Sequence, residues 1–212
     1  MIALTISDAM SAENALLRVS ELFVRKSNLG VPDAICIRND TFLPEPFAEM
    51  VEMVSKVWLG DIILESDSAA SLTKAVVPII DREPMLVGAN ANNLEQFAMV
   101  ANMFGCPITV SDDNLETLYD LAAQGKDLGV KEIHIDPMMR NMKQCLETCT
   151  DIKRISELSP ELGYRVVVRT WSGEYAMTMA TVSLLIDDTI VIVDDLDFDC
   201  CDTLATLLSS IR

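Results

Sequence analysis

Eight short apolar runs, each three to five residues long, recur along this 212-residue chain with helix-period stretches between them. They are Ile2–Ile6, Ala34–Ile37, Asp61–Leu64, Met85–Val87, Ile108–Val110, Glu132–Ile135, Arg165–Val168 and Thr189–Val193. Several are almost wholly apolar, as parallel strands buried on both faces must be. The intervening stretches carry apolar residues at helical spacing. The stripes are Phe47, Met50, Val51, Val54 and Trp58; Leu94, Phe97, Ala98 and Ala101; and Leu115, Leu118, Tyr119 and Ala122. Met142, Cys145, Leu146 and Cys149 follow, then Leu204, Leu207, Leu208 and Ile211. Strand alternating with helix eight times predicts an α/β protein, a single (β/α)8 TIM barrel over residues 1–212. An open doubly wound sheet is the competing arrangement, but no G-x-G-x-x-G loop follows the first run.

The punctuation agrees with that period. Asn93 and Asn114 stand where helices should start. Gly105, Gly129 and Gly163 stand where helices should end, and Pro107 can open a strand. Thr41–Pro46 reads as a loop. No apolar run approaches the roughly 20 residues of a membrane helix, although half the residues are hydrophobic and mean hydropathy is +0.28. The N-terminus has no basic region and reaches Asp8 at once, so no signal peptide is expected.

Charge narrows the function. The chain carries a net −17 with 33 acidic and 16 basic residues. Nucleic acid and anionic membrane are poor partners, because phosphate neutralisation needs clustered Lys and Arg. The six cysteines show no C-x-x-C and no disulfide-frame spacing, which fits a reduced, cytoplasmic protein.

In such barrels chemistry sits at the C-terminal ends of the strands. Those positions hold Ser7, Asp8, Arg38, Asn39, Asp40, Glu65, Ser66, Asp67, Asn90, Ser111, Asp112, Asp136, Arg169, Thr170, Trp171, Asp194 and Asp195. The mouth is therefore polar and strongly acidic, and paired aspartates after the last strand would repel a sugar phosphate. His134, the sole histidine, lies between Ile133 and Ile135, points opposite to them by alternation, and reads as a satisfied barrel-wall residue. Cys145 and Cys149 share a stripe with Met142 and Leu146 and read as packing residues. No metal site is assigned.

The segment from Pro84 to Arg140, with Asn93-Leu94, Gly105-Cys106-Pro107-Ile108, and Gly129-Val130 through Ile135-Asp136-Pro137, resembles a known family. So do Arg38-Asn39-Asp40, Asp151-Ile152-Lys153-Arg154-Ile155 and Gly163-Tyr164. The resemblance is to the TIM-barrel domain of the corrinoid/iron–sulfur protein large (gamma) subunit of the acetyl-CoA decarbonylase/synthase complex. Leu94 stands where that family has Trp, and Met138 where it has Gly. The family's iron–sulfur and corrinoid-binding domains are not expected in residues 1–212, so no cofactor is expected within the chain. A corrinoid supplied in trans by a partner protein, or a homo- or hetero-oligomer, is what the resemblance implies.

The wider superfamily includes dihydropteroate synthases and methyl-pterin methyltransferases, which hold a pterin with an Asp after the third strand, an Asn after the fourth and an Asp after the sixth. By that resemblance Asp67, Asn90 and Asp136, with Asn39 and Arg169, are the candidate substrate or pterin residues. Three functions are carried forward. One is a barrel in one-carbon (methyl) transfer that docks to a corrinoid protein. A second is a pterin- or folate-dependent methyltransferase. The third is an orphan barrel for another small molecule. The residues leave open whether the chain is an enzyme.

Overall fold

The computed structural model describes residues 1–29, 32–170, 176–184, 189–194, 203 and 206. The strands are β1 (Ile2–Ser7), β2 (Ala34–Arg38), β3 (Asp61–Glu65), β4 (Met85–Ala89), β5 (Ile108–Ser111), β6 (Ile133–Asp136), β7 (Arg165–Thr170) and β8 (Ile190–Val193). They close in sequence order into one parallel barrel, β1 pairing with β8 through Ile2↔Val191 and Leu4↔Val193. The helices between them are α1 (Ala12–Leu29), α2 (Pro44–Ser55), α3 (Ala69–Val76), α4 (Leu94–Phe104), α5 (Leu115–Asp127), α6 (Met142–Leu158) and α7 (Ala176–Leu184). The closed eight-stranded barrel with helices between its strands, read from the sequence, is thus the fold.

Side-chain alternation splits each strand between two environments. Ile2, Leu4, Ile6, Ile35, Ile37, Ile62, Leu64, Leu86, Ile108, Val110, Ile135 and Val168 face the helices in one continuous core. Ala3, Ala34, Cys36, Ile63, Met85, Val87, Val167, Ile190 and Ile192 fill the barrel interior as a second cluster. Each large aliphatic side chain buried in the outer layer contributes about 1.5–3 kcal/mol. The interior residues are held in register by pairs such as Thr5↔Cys36, Cys36↔Ile63 and Thr109↔His134. Continued upward, the same inward positions are Ser7, Arg38, Glu65, Ser111, Asp136 and Arg169, which is why charge gathers at the mouth.

Helix ends follow the side chains available. The Asn114 side chain accepts from Thr117 N at 3.1 Å, and Gly105 closes α4 with φ 74°. Gly129 takes φ 90° just beyond α5. Asn93 precedes α4 but makes no side-chain cap; its amide is used elsewhere, as described below. Pro44 opens α2, so the loop expected over Thr41–Pro46 ends earlier, at the ring whose fixed φ suits a first helical turn. Gly163 ends the short 3-10 turn Pro160–Leu162 and not α6, which stops at Leu158. Leu146 does not share the buried face of Cys145 and Cys149: it is 49% exposed, one position off the inward stripe. The Leu204–Ile211 stripe lies outside the described residues.

At the opposite, N-terminal end the floor is closed by His134, which is buried with Nε2 3.3 Å from Glu132 Oε1. It points inward, opposite to Ile133 and Ile135, as alternation requires. A recess of about 160 Å³ there is bordered by Met1, Asp61, Arg82, His134 and Arg165. The Arg82 guanidinium donates to the carbonyls of Ser55, Trp58 and Gly60 and satisfies the end of α2.

Candidate functional site at the barrel mouth

Two arginines organise the mouth. Arg169, from the top of β7, places Nη1 3.0 Å from Glu65 Oε1 on β3 and Nε 2.6 Å from Asp136 Oδ2 on β6. The bridge therefore crosses the barrel. It is largely out of water, the three side chains being 15%, 10% and 1% exposed. Asp136 is further fixed by Met138 N, which donates to its Oδ1 at 2.8 Å, and by the Ser111 hydroxyl at 3.4 Å. Arg38, at the end of β2, binds Asp194 at 2.6 Å and Asp40 at 2.9 Å.

The protonation behaviour follows from this geometry. Burial works against the Arg169 charge, but the facing carboxylates of Asp136 and Glu65 more than offset it and hold the guanidinium above its ordinary range. Glu65 responds the other way. Burial raises its pKa, and the attraction of Arg169, shared with Asp136, only partly brings it back. Beneath it the Cys36 thiol donates to Glu65 Oε2 at 3.6 Å. Burial first, and the Glu65 charge second, push that thiol well above the usual range, so it is no nucleophile.

A second cluster stands beside the bridge. Asp8 accepts from Thr41 N at 2.9 Å and from the Thr41 hydroxyl at 2.6 Å. Asn39 donates to Ser66 Oγ at 2.9 Å. These bonds clamp the loop after β2. The next residue, Phe42, has φ 57° and is 79% exposed, with Leu43 55% exposed beside it. A left-handed phenylalanine costs about 1–2 kcal/mol.

The predicted residues divide accordingly. Asp136 and Arg169 are in direct contact and border an opening of about 370 Å³ with Met138, Met139 and Arg140. Asn39 is buried in the adjoining cluster. Asn90 and Asp67 belong to the β4 loop and its neighbour. Gly88, with φ 125°, lies at a bulge between Val87 and Ala89 and so close to the Ser66 carbonyl that a Cβ would overlap it. Its own carbonyl receives the amides of Asn90 at 3.2 Å and Asn93 at 3.1 Å. Asn90 Oδ1 accepts from Asn92 N, and Asn93 also reaches the Asp67 carbonyl. The Asn90 amide is thus engaged within its own turn, while the Asp67 side chain is exposed.

Glu65, Arg38 and Asp194 stand among the strand-end positions of the sequence, but their pairing with Arg169 and with each other is not legible there. A signal exists: a charged residue continuing the inward register of an apolar strand has to be neutralised across the barrel. Trp171 and Asp195 lie outside the described residues. Among the described residues no helix is long and apolar enough to cross a membrane.

The fold has close structural counterparts. Dihydropteroate synthase from Thermus thermophilus superposes with a TM-score of 0.72 at 13% identity, covering 100% of this chain and 91% of that one. The enzyme from Vibrio fischeri ES114 gives 0.71 at 10% identity, covering 99% and 91%. At such identities the likeness is one of fold. By sequence, the corrinoid/iron-sulfur protein large subunit of Moorella thermoacetica is 29% identical over 175 residues, 80% of this chain. The acetyl-CoA decarbonylase/synthase complex subunit gamma of Methanothermobacter thermautotrophicus is 35% identical over 127 residues, 58% of this chain. The matches span 39% and 27% of those relatives' own lengths. The likeness to large-subunit barrels read from the Pro84–Arg140 segment is therefore borne out. The profile described as CO dehydrogenase/acetyl-CoA synthase delta subunit matches residues 1–195, and the chain belongs to that family.

Proposed function

We propose that this chain serves one-carbon (methyl) transfer as a barrel that docks, through its C-terminal mouth, onto a corrinoid protein supplied in trans. Family membership over residues 1–195 supports the pathway. The observation that carries the docking is Phe42. A bulky aromatic residue is held in a left-handed conformation and projected into water by the Asp8–Thr41 clamp. Strain of this kind is retained where a function uses it. Leu43 and, across the rim, Met138 add apolar anchors, while Asp40, Asp67 and Asp112 supply an acidic border. The complementary face is an apolar pocket ringed by Lys and Arg.

The test is calorimetry of the full chain with a corrinoid protein of the acetyl-CoA decarbonylase/synthase type. Phe42→Ser is expected to weaken the complex at least about tenfold with the circular dichroism spectrum unchanged. Equal affinity for wild type and variant, or no complex at all, overturns the reading.

One observation favours a second reading, a methyl-pterin or methyl-folate methyltransferase. Asp136 and Arg169 converge on the 370 Å³ opening, and carboxylate and guanidinium groups match the donor–acceptor edge of a pterin. In that case Asp67, Asn90 and Asn39, at neighbouring strand ends, are the further residues the pterin meets once the Asn90 amide leaves its own turn, and Asp136→Asn and Asn90→Ala each lower methyl-pterin affinity. Unchanged affinity in both variants, or no binding, rejects it.

A further inference from the structure

The inward positions of β5 and β6 are all polar. Thr109 and Ser111 on β5, and His134 and Asp136 on β6, alternate with the apolar residues that face the helices. They are 0%, 7%, 4% and 1% exposed. The barrel interior beside them is an apolar cluster that includes Ala3, Ala34, Ile63 and Val167. The parallel register pairs Thr109 with His134 and Ser111 with Asp136, so the four side chains form one column along the barrel wall. Its two ends reach solvent on opposite sides of the barrel. Asp136 borders the 370 Å³ opening at the mouth, and His134 borders the 160 Å³ recess at the floor.

Asp136 binds Arg169 and the Ser111 hydroxyl, and His134 leans on Glu132. Thr109, the most buried of the four, differs: its hydroxyl has no hydrogen-bond partner among the described residues. A buried polar group left in that condition costs about 1–3 kcal/mol, and a valine of nearly the same shape avoids the cost. Internal water is the usual partner of such a group.

We propose that Thr109 holds an internal water molecule that completes a proton relay between His134 at the floor and Asp136 at the mouth. Two residues along a strand span about 6.6 Å, a gap that one water bridges with two hydrogen bonds of about 2.8 Å. One proton enters the imidazole from the floor recess on its Glu132 side, one leaves it for the water, and the water gives one to an Asp136 oxygen. Each N–H or O–H bond broken is matched by one formed, and nothing is oxidised or reduced. Arg169 stays bound to Glu65 while Asp136 holds the proton. The relay runs equally in reverse. It lets Asp136 exchange protons with solvent at the floor while the mouth is covered, whatever covers it. The charged groups around the floor recess are Glu132, Arg165, Asp61, Arg82, Glu83 and the Met1 amino group. They are the same in every variant below, so they set the His134 midpoint but not its response to the mouth.

His134 is the only histidine, so the full chain gives a single titrating imidazole signal by NMR. In the wild type a bound water should show a nuclear Overhauser contact to the Thr109 methyl, and Thr109→Val should abolish it. Asp136→Asn should weaken proton binding at His134 about threefold. That effect should be lost in the Thr109→Val background. A charge effect acting through space survives Thr109→Val, so its persistence there overturns the relay. So does the absence of a water contact at Thr109 in the wild type, a measurement that decides the matter even if the Asp136→Asn variant fails to fold.

Discussion

The two ends of the barrel are closed in different ways. At the floor, His134 leans on Glu132, a carboxylate 64% exposed, and Arg82 is satisfied by backbone carbonyls of its own neighbourhood. At the mouth, Arg169 ties β7 to β3 and β6 through two carboxylates that are almost dry. These floor contacts end on backbone carbonyls or on one exposed carboxylate, whereas the mouth contact joins three strands through buried charged side chains. Charge placed at the mouth is therefore structural before it is anything else, and a ligand entering there competes with the protein's own arginine.

The sharpest way to break this contrast is Arg169→Leu. It leaves Glu65 and Asp136 buried without their counter-charge and should cost about 3–5 kcal/mol. His134→Gln at the floor should cost only about 1 kcal/mol. Urea melts of the two variants check this, and equal losses would erase the distinction between the ends. Next in size is Asp8→Ala, which frees two donors of Thr41 and should cost about 1–3 kcal/mol. Faster hydrogen exchange at the Thr41 amide is the local readout.

The smallest effect sharpens the comparison through pH. Because Glu65 has a raised pKa in the folded chain, the native state holds that proton more tightly than the unfolded state. Its stabilising contribution is full below the ordinary glutamate range and is lost as pH rises through its own higher value. Glu65→Gln keeps an acceptor for Arg169 and removes that titration. The variant should therefore lose less stability than wild type over the window just above the ordinary glutamate pKa. Parallel slopes would show that Glu65 is not the group responsible.

Much of the architecture is legible in the sequence, and the candidate site only partly. The residues after each strand can be read off, and Asp136, Arg169, Asn39, Asn90 and Asp67 all stand at one end of the barrel. Which of them touch is not legible. Asp136 and Arg169 are 33 positions apart in the chain, and Glu65 lies a further 71 before Asp136; their meeting depends on barrel closure and strand stagger. Asn90 reads as equally available, but the bulge at Gly88 turns its amide back onto its own loop. Leu146 falls one position outside the stripe because α6 shows only a narrow face to the barrel, with Cys145, Cys149 and Ile152 buried.

What the sequence by itself determined was the alternation: two-residue periods for strands, helical periods between, and an inward register that ends in charge. Those are local consequences of backbone geometry and of keeping apolar surface out of water. What only the tertiary structure decided was partnership. Closure brought Arg169 between Glu65 and Asp136, sent Phe42 outward, and set Met139 against Cys149. Such contacts depend on distances across the barrel and on the turn at each strand end, and no periodicity along a chain encodes them.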